Sequence, residues 1–271
     1  MTATNKPGEL QSRLDFAVKI ARLAGQQTLE LFRTTDLEVI RKSDGSPVTA
    51  ADRGAEQLLR DQIGHEFPED AILGEEFGEK VGKSGFRWVL DPIDGTKAFV
   101  SGVPLYTTLV AVMHEEEPQI GVIFAPAAGE MVYAAYGSGC WHVIDGGKPQ
   151  QACVSTVDNL ADAVVVTSSV KSFTTEREVD GRAVFDRLQT KCKVTRTWGD
   201  AFGYLLVATG RAEVALDPAM SLWDTASLQP IIEEAGGKFF DWQGLATVHN
   251  EEAVATNSKL AEQVLALVQE G

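Results

Sequence analysis

The sequence predicts an α+β protein in which two sheet-and-helix halves pack as one compact unit. Helical spacing of apolar residues near the start gives way, from Trp88 onward, to short β-rich runs separated by tight polar or Gly/Pro connections. Connections that short join antiparallel neighbours, so we expect the N-terminal sheet to be largely antiparallel. After about residue 155, strand-like and helix-like segments alternate. No Pro/Gly/Ser-rich linker separates the two patterns, so we expect residues 1–271 to form a single unit with halves of about 1–152 and 153–271.

The first half begins with two predicted helices. Apolar residues recur at three-four spacing from Leu10 to Phe32, and again in TAADRGAEQLLRDQIG, where Thr49 and Asp52 fit a capping box. The turn-rich segment RKSDGSPVT between them is predicted to be a loop. A short apolar run opens AILGEEFG, and the predicted strands that follow it are WVLD, LYTTLVAVM, QIGVIFAP, EMVYAAY and GCWHVI.

The second half alternates between the two kinds of element. Its predicted strands are VVVTSS, CKVTRT, AEVAL, KFFDW and EAVATN. Its predicted helices are TTEREVDGRAVFDRLQT, GDAFGYLLVATG, WDTASLQPIIEEAGG and SKLAEQVLALVQE.

Composition limits the classes of partner. At 271 residues and 44% hydrophobic content, the chain can bury a sizeable core. A formal net charge of −15 disfavours a nonspecific grip on nucleic acid or on an anionic membrane, because both need clustered Lys and Arg. We therefore expect a small molecule, a metal or another protein as the partner.

The absence of a recognisable targeting signal and the pattern of cysteines lead us to expect a cytoplasmic protein. The N-terminal segment has no basic stretch followed by an apolar run, and no stretch reaches roughly 18 uninterrupted apolar residues. Cys140, Cys153 and Cys192 are odd in number and lack CxxC spacing, so we expect reduced, partly buried thiols. The four histidines are scattered singly and indicate no soft-metal cluster.

The segment DPIDGT carries the strongest functional signal. The residue before a proline is pushed to an extended backbone and Asp-Gly favours a turn, so Asp91 and Asp94 should emerge together where a strand ends. Thr96 and the following residues can then start a short helix, whose backbone N–H groups suit a phosphate. Carboxylates would repel that phosphate unless hard cations such as Mg²⁺ lay between them.

Four further acidic residues are candidate partners, and each has an ordinary structural explanation as well. Glu75 and Glu76 follow the AIL run and could form a solvated loop. Asp224 stands at the head of a predicted helix and Asp52 lies in the capping box, so either could serve only to cap a helix.

The residues resemble the inositol monophosphatase family of magnesium-dependent, lithium-sensitive phosphomonoesterases. The match consists of GEE at 74–76, WVLDPIDGT at 88–96, and WD at 223–224 followed by a helix ending in EAGG at 234–237. The resemblance extends over nearly the whole chain. It implies a layered α/β/α/β/α sugar-phosphatase fold with the site at the junction of the halves, and commonly a homodimer.

The resemblance also implies a set of metal ligands. Glu75, Asp91 and the carbonyl of Ile93 would hold one Mg²⁺, and Asp91, Asp94 and Asp224 a second. A third, looser ion would lean on Glu75 and waters, giving two or three ions per site. These ions imply in-line attack on the phosphorus by a metal-activated water, without a phosphoenzyme.

Other positions would handle the phosphate and the water. The resemblance implies that Asp94 lies at the substrate, that Gly95 and Thr96 give backbone amides to the phosphate, and that the Thr96 hydroxyl and Asp52 orient and help deprotonate the water. Glu76 would lie just behind them. Lys42 stands where the family has a lysine close to the metal site.

Within the family, the chain most resembles the members that act on L-histidinol phosphate in histidine biosynthesis. This likeness lies in KAFVSGVPLYTTLVAV at 97–112 and TWGDAFGYLLVATGRAEVALDP at 197–218. Histidinol phosphate carries an ammonium group, so its pocket should offer carboxylates that do not ligate metal, and we assign Asp200, Asp217 or both to that amine. Asp200 could instead only cap a helix, and an acid near 217 also suits inositol hydroxyls. Trp198 and Tyr204 could line the pocket or belong to the core.

Other functions remain open at this point. The substrate could be myo-inositol phosphate or a range of sugar phosphates. A noncatalytic Ca²⁺ or Mg²⁺ protein would leave Thr96 and Asp52 without a task, and the sequence lacks the D-x-D-x-D-G calcium loop. A metal-free carboxylate pair, as in glycosidases, is a further alternative. A Ser/His/Asp hydrolase has little support because no GxSxG occurs.

Overall fold

The computed structural model describes residues 7–35, 38–41, 46–175 and 181–270. The helices in these ranges are α1 Pro7–Leu29, α2 Ala50–Glu66, α3 Thr96–Val100, α4 Ser172–Thr175, α5 Gly181–Lys191, α6 Ala201–Ala208, α7 Leu222–Thr225, α8 Leu228–Glu234 and α9 Ala261–Gln269.

The strands of the first half lie between residues 39 and 151. They are β1 Val39–Arg41, β2 Pro47–Thr49, β3 Ala71–Gly74, β4 Gly78–Lys80, β5 Phe86–Asp94, β6 Thr107–His114, β7 Glu117–Ala125, β8 Glu130–Ala135, β9 Cys140–Ile144 and β10 Gln150–Gln151. The strands of the second half are β11 Val164–Val166, β12 Val194–Arg196, β13 Val214–Asp217, β14 Gly237–Phe240 and β15 Ala253–Asn257.

The larger sheet runs in the order β10-β9-β8-β7-β6-β5-β3-β4. Its neighbours are antiparallel except for β3 and β5, which pair in parallel. Tight connections between β6, β7, β8 and β9 impose this arrangement, as the sequence predicted. The parallel β3 can reach its place beside β5 because the β4 hairpin intervenes between them in the chain.

The smaller sheet runs in the order β12-β11-β13-β15-β14. β11 pairs in parallel with β12 and β13, and β15 is antiparallel to β13 and β14. The helical crossovers α5 and α6 permit the parallel pairs, because a parallel connection must carry the chain back along the sheet.

The two sheets form a five-layer stack with the helices. Along β5, Val89 packs into the core shared with α6, α8 and the smaller sheet, whereas Trp88 and Leu90 pack on the opposite face against α1 and α2. In the smaller sheet Val166 faces that shared core, and Val165 faces α5 and α9. The order helix, sheet, helix, sheet, helix confirms the predicted α+β layered fold. One shared apolar core joins the halves.

Several local predictions need correction. The predicted loop RKSDGSPVT ends in strand residues, because Pro47–Thr49 pairs with Val39–Arg41 as a short hairpin. The predicted helix over 223–237 is two helices, α7 and α8. The first predicted helix begins at Pro7 and ends at Leu29, and turns follow it. The helix predicted over 174–190 corresponds to parts of α4 and α5, and residues 176–180 lie outside the described ranges.

Two composition-based expectations can also be checked. Of the residues described, all three cysteines are free, with Cys140 buried, Cys192 half-buried and Cys153 exposed. In the same ranges, the helices are too short or too polar to cross a bilayer.

Candidate metal centre

A bulge at the end of β5 places Asp91 and Asp94 on the same side of the larger sheet. In a regular strand, residues three apart point to opposite faces. Here Asp91 pairs with Leu109 and Asp94 pairs with Thr107, so three steps along β5 match two steps along β6. The extra residue at Pro92-Ile93 turns both carboxylates in one direction. The Thr108 hydroxyl, which donates to the Pro92 carbonyl at 2.9 Å, holds the bulge.

Asp224 joins the pair from the C-terminal half. It lies in the first turn of α7, where Ser221 and Asp224 form a capping box. One carboxylate oxygen from each of Asp91, Asp94 and Asp224 lies within 4.8 Å of the others. Asp91 and Asp94 are 2% and 7% exposed, so three carboxylates share a site with little water.

Protein donors fix one oxygen of each of these carboxylates. The Ile93 amide donates to Asp91 Oδ1 at 3.0 Å, and the Ser221 amide donates to Asp224 Oδ2 at 2.7 Å. Asp94 Oδ2 accepts from the Thr107 hydroxyl and from the Ala201 amide, each at 2.7 Å. Ala201 begins α6, so Asp94 ties the larger sheet to the C-terminal half. Protein contacts therefore hold these three side chains in place.

Burial and mutual repulsion make these carboxylates difficult to ionise. Burial, with the charges of Glu75, Asp94 and Asp224 next, raises the pKa of Asp91 well above its ordinary value. Burial, then Asp200 and Asp224, does the same to the pKa of Asp94. Burial raises the pKa of Asp224 to about 7, although the Ser221 amide opposes it. A site of buried oxygen ligands with excess negative charge fits a hard divalent cation such as Mg²⁺.

The turn after β3 brings both glutamates to this centre, where their charges act on different aspartates. The charge of Glu75 acts on both Asp91 and Asp224. The charge of Glu76 acts on Asp52, whose pKa is raised chiefly by burial. The structure thus gathers both predicted glutamates at the site, Glu75 beside the aspartates and Glu76 beside Asp52.

Asp52 caps helix α2 and also lies beside Thr96 at the site. Its Oδ2 accepts from the Thr49 amide at 2.8 Å and the Thr49 hydroxyl at 2.6 Å, which completes the predicted capping box. Its Oδ1 faces the Thr96 hydroxyl at 3.4 Å. Thr96 also donates to the Ile93 carbonyl at 3.1 Å, so the predicted carbonyl ligand lies at this hydroxyl.

Gly95 lets the chain turn from β5 into α3 beside Asp200. Its φ of 82° lies in the left-handed region that favours glycine. A Cβ built there would lie 2.7 Å from Asp200 Oδ2. The absence of a side chain at Gly95 therefore lets the Asp200 carboxylate approach the turn expected to bind phosphate.

The two candidate amine-binding acids differ in their surroundings. Asp200 precedes α6 through a cis Gly199–Asp200 peptide, and among the described residues its side chain makes no capping hydrogen bond to the helix. Burial, then the charge of Asp217, raises the pKa of Asp200 to about 6. Asp217 is 2% exposed, and its oxygens accept from hydroxyls and an amide at 2.6–3.1 Å, the donors being Thr167, Ser168 and Tyr204. Protein donors thus surround Asp217.

The remaining predicted positions differ in burial and in whether the structure describes them. Tyr204 is fully buried and belongs to the core, while Trp198 is 42% exposed two residues before Asp200. Lys42 lies outside the described residues. Thr107 and Glu56 contact site residues but were not among the predicted positions. Glu56 could have been suspected only from its place one turn after Asp52 on α2.

The layered α+β fold brings a largely buried carboxylate cluster, Asp91, Asp94 and Asp224, to the place where its sheets meet, and this cluster could hold a divalent cation. The model of the inositol monophosphatase family matches residues 9–271, and the chain belongs to that family.

Relatives and solved structures agree over nearly the full length. A Chlorobaculum parvum protein named histidinol-phosphatase is 40% identical over 259 residues, covering 95% of this chain and 97% of the relative. A Mycobacterium tuberculosis protein of the same name is 38% identical over 258 residues, covering 95% and 98%. The structure of a Thermotoga maritima IMPase has a TM-score of 0.84 at 30% identity, covering 96% of this chain and 97% of that one.

Proposed function

We propose that this chain is a Mg²⁺-dependent phosphomonoesterase that hydrolyses L-histidinol phosphate to L-histidinol and phosphate, a step of histidine biosynthesis. The observation that carries the proposal is the largely buried cluster of Asp91, Asp94 and Asp224, next to a turn that suits phosphate and beside the acidic Asp200. The names of the two histidinol-phosphatase relatives support the choice of substrate.

The carboxylates would hold the ions, two or three per site. Glu75, Asp91 and the Ile93 carbonyl form one proposed ligand set, and Asp91, Asp94 and Asp224 the other. Bound Mg²⁺ supplies positive charge that neutralises the phosphoryl oxygens and lowers the pKa of water.

Residues around Thr96 would orient the attacking water and accept its proton. The Thr96 hydroxyl lies between the Ile93 carbonyl and Asp52 Oδ1, so it can accept a hydrogen bond from a water while it donates to one of those oxygens. Burial raises the pKa of Asp52, which makes its carboxylate a stronger base than an exposed aspartate. Glu76 adds negative charge to the same end. The Gly95 and Thr96 amides are proposed to bind the phosphate.

Asp200 is the group we assign to the ammonium of histidinol phosphate. Its carboxylate lies at Gly95, next to the proposed phosphate position, and a cationic substrate would favour its ionised form. Asp217, with its oxygens already bound by Thr167, Ser168 and Tyr204, would act on the amine through its charge. Inositol phosphate has no cation to match this pair of acids.

A substrate comparison tests the assignment. We expect kcat/KM at saturating Mg²⁺ to be higher for L-histidinol phosphate than for myo-inositol 1-phosphate. A tenfold or larger preference for the inositol ester would overturn the choice. Asp200→Asn should lower kcat/KM for histidinol phosphate by about tenfold or more, the loss of a charge-assisted contact, and spare the inositol ester.

Chelation tests the class of reaction. Phosphate release should stop when EDTA removes divalent cations and return when Mg²⁺ is added in excess. A metal-free hydrolase would keep its activity, and a noncatalytic cation-binding protein would release no phosphate in either condition.

We extend the proposal to the whole chain and its surroundings. The shared core of the two halves supports a single catalytic unit over residues 1–271, and the free cysteines support a cytoplasmic location. Family resemblance supports a homodimer and inhibition by lithium, and the formal net charge of −15 supports the absence of a nucleic-acid or membrane partner. Light scattering on the purified chain would test the dimer.

A further inference from the structure

Glu56 contacts the turn that carries the glutamates of the metal centre. It lies on α2, is fully buried and presents its carboxylate to the residues that follow β3. Its Oε2 accepts from the Glu76 amide at 2.7 Å, and its Oε1 accepts from the Phe77 amide at 3.2 Å. A single side chain therefore holds two consecutive backbone amides directly after Glu75.

Arg60 supplies the opposite charge. Its Nε donates to Glu56 Oε1 at 2.7 Å from one helical turn further along α2, and its Nη2 donates to the Gly78 carbonyl. The pair thus binds the turn at both ends. On the other side of the turn, the Glu75 amide donates to the Leu90 carbonyl of β5 at 3.2 Å.

Gly74 makes room for this contact. A Cβ at Gly74 would overlap the Glu56 carboxylate. The absence of a side chain at Gly74, in the GEE segment, thus leaves room for the Glu56 carboxylate from α2.

The spacing on α2 connects two parts of the site. Asp52 and Glu56 are four residues apart and lie on one face of the helix. Asp52 faces Thr96, and Glu56 holds the turn of Glu75 and Glu76. A rigid helix therefore sets the distance between the proposed proton-handling groups and the proposed metal ligand.

We propose that Glu56 is a positioning residue for the metal centre, holding the 75–77 turn so that Glu75 faces Asp91 and Asp224. The inference rests on the proposed function, because it assigns Glu56 a task only if Glu75 ligates Mg²⁺. It also explains why a carboxylate is buried in a region that already holds excess negative charge, where it would otherwise add repulsion.

The test uses the purified full chain. Isothermal titration calorimetry with Mg²⁺ alone measures the Kd for the ion, and a separate assay measures how phosphate release depends on the Mg²⁺ concentration. Glu56→Gln keeps the shape of the side chain but turns an amide N–H₂ toward the backbone N–H donors of the turn. We expect the Kd for Mg²⁺ to rise by about 10–100-fold, as for other residues that orient metal ligands. Activity should recover at high Mg²⁺ with an unchanged KM for substrate.

Glu252→Gln is the matched control. Glu252 is also buried and its carboxylate accepts a hydrogen bond from a backbone amide, that of Trp242 at 2.8 Å, but it directly precedes β15 in the C-terminal half. We expect it to lower the melting temperature and leave the Kd for Mg²⁺ within twofold of wild type. A purely structural role for Glu56 would give the same pattern.

Gly74→Ala disturbs the same Glu56 contact without changing the charge of the chain. It provides a second test if Glu56→Gln does not fold. It should weaken Mg²⁺ binding about tenfold, whereas Gly64→Ala, which adds a methyl to open space on α2, should not. In a Glu56→Ala background the overlap is gone, so Gly74→Ala should add less than a twofold effect.

The results distinguish a failure of the proposed role of Glu56 from a failure of the proposed function. Wild-type Mg²⁺ binding with unchanged Kd values in Glu56→Gln and Gly74→Ala would overturn the role of Glu56 and leave the proposed function intact. A wild-type chain that binds no Mg²⁺ would overturn both.

Discussion

Asp224→Asn should stabilise the metal-free protein while destroying its affinity for Mg²⁺. Without an ion, burial raises the pKa of Asp224 from 3.8 to about 7. The folded chain therefore holds a proton that the unfolded chain has released, and the free energy of unfolding falls as the pH rises through the window from about 4 to about 7. Asparagine carries no charge and can still accept from the Ser221 amide.

The size of the effect follows from that pKa difference. A difference of about 3 pKa units at 1.36 kcal/mol each gives about 4 kcal/mol at pH 8 as an upper limit. The repulsion is shared with Asp91, Asp94 and Glu75, which remain, so we expect a gain of about 1–3 kcal/mol. For a chain of this size that corresponds to roughly 2–10 °C in melting temperature.

Urea unfolding in EDTA at pH 8 and at pH 5 measures the gain. It should be largest at pH 8 and shrink at pH 5, where the folded wild type keeps Asp224 protonated. Excess Mg²⁺ should reverse the order of stability, because only the wild type gains binding energy. The reasoning fails if Asp224→Asn is less stable than wild type at pH 8 in EDTA, or if its advantage is the same at both pH values.

Asp241→Asn is a control with the opposite sign. Asp241 is 1% exposed and accepts from the Gln243 amide at 2.9 Å, the Leu245 amide at 2.7 Å and Asn250 Nδ2 at 2.7 Å. Donors surround this carboxylate, so an amide N–H₂ would face another donor. The variant should lose about 1–3 kcal/mol.

Three further predictions concern single residues. Thr96→Val should lower kcat by about 100-fold or more with a similar melting temperature, in steady-state assays at saturating Mg²⁺; a loss below fivefold would remove Thr96 from proton handling. Arg13→Met leaves buried Asp70 without the guanidinium that binds it at 2.9 and 3.0 Å, and should reduce the free energy of unfolding by about 3–5 kcal/mol in urea; an unchanged midpoint would contradict this. Iodoacetamide at pH 7.5 should modify exposed Cys153 first without loss of activity, since burial raises the pKa of Cys140 to about 12; mass spectrometry of the labelled chain would reveal any other order.

The main elements of the fold were predictable because their patterns are local. Strands β5 to β9 are long enough for their β-rich runs to be recognised, and short connections fix their antiparallel pairing. Strands of two or three residues, such as β1, β4 and β10, are too short to show a period of two. The break between α7 and α8 was missed because the apolar spacing of WDTASLQPIIEEAGG continues through it.

The site was predictable where one motif contains the ligands and less so where the fold brings distant residues together. DPIDGT indicated that Asp91 and Asp94 emerge together, and the bulge supplies the physical reason. Asp200 and Asp217 could not be ranked from sequence, because the donors that occupy Asp217 come mostly from residues 167 and 168, about fifty positions upstream. Glu56 had no signal of its own, since Glu56 and Arg60 also fit an ordinary helix ion pair.

The same contacts that make the site hard to predict also keep its carboxylates close together. Carboxylates with raised pKa values lower the stability of the folded chain, and free side chains would turn away from one another to relieve the repulsion. Here protein donors prevent such movement: the Ile93 amide binds Asp91, the Thr107 hydroxyl and the Ala201 amide bind Asp94, and the Ser221 amide binds Asp224. Packing in the layered core offsets the unfavourable free energy of this repulsion and fixes the backbone from which these donors come. Binding of a divalent cation would then release repulsion already stored in a rigid site, so Mg²⁺ should raise stability without moving the backbone of β5.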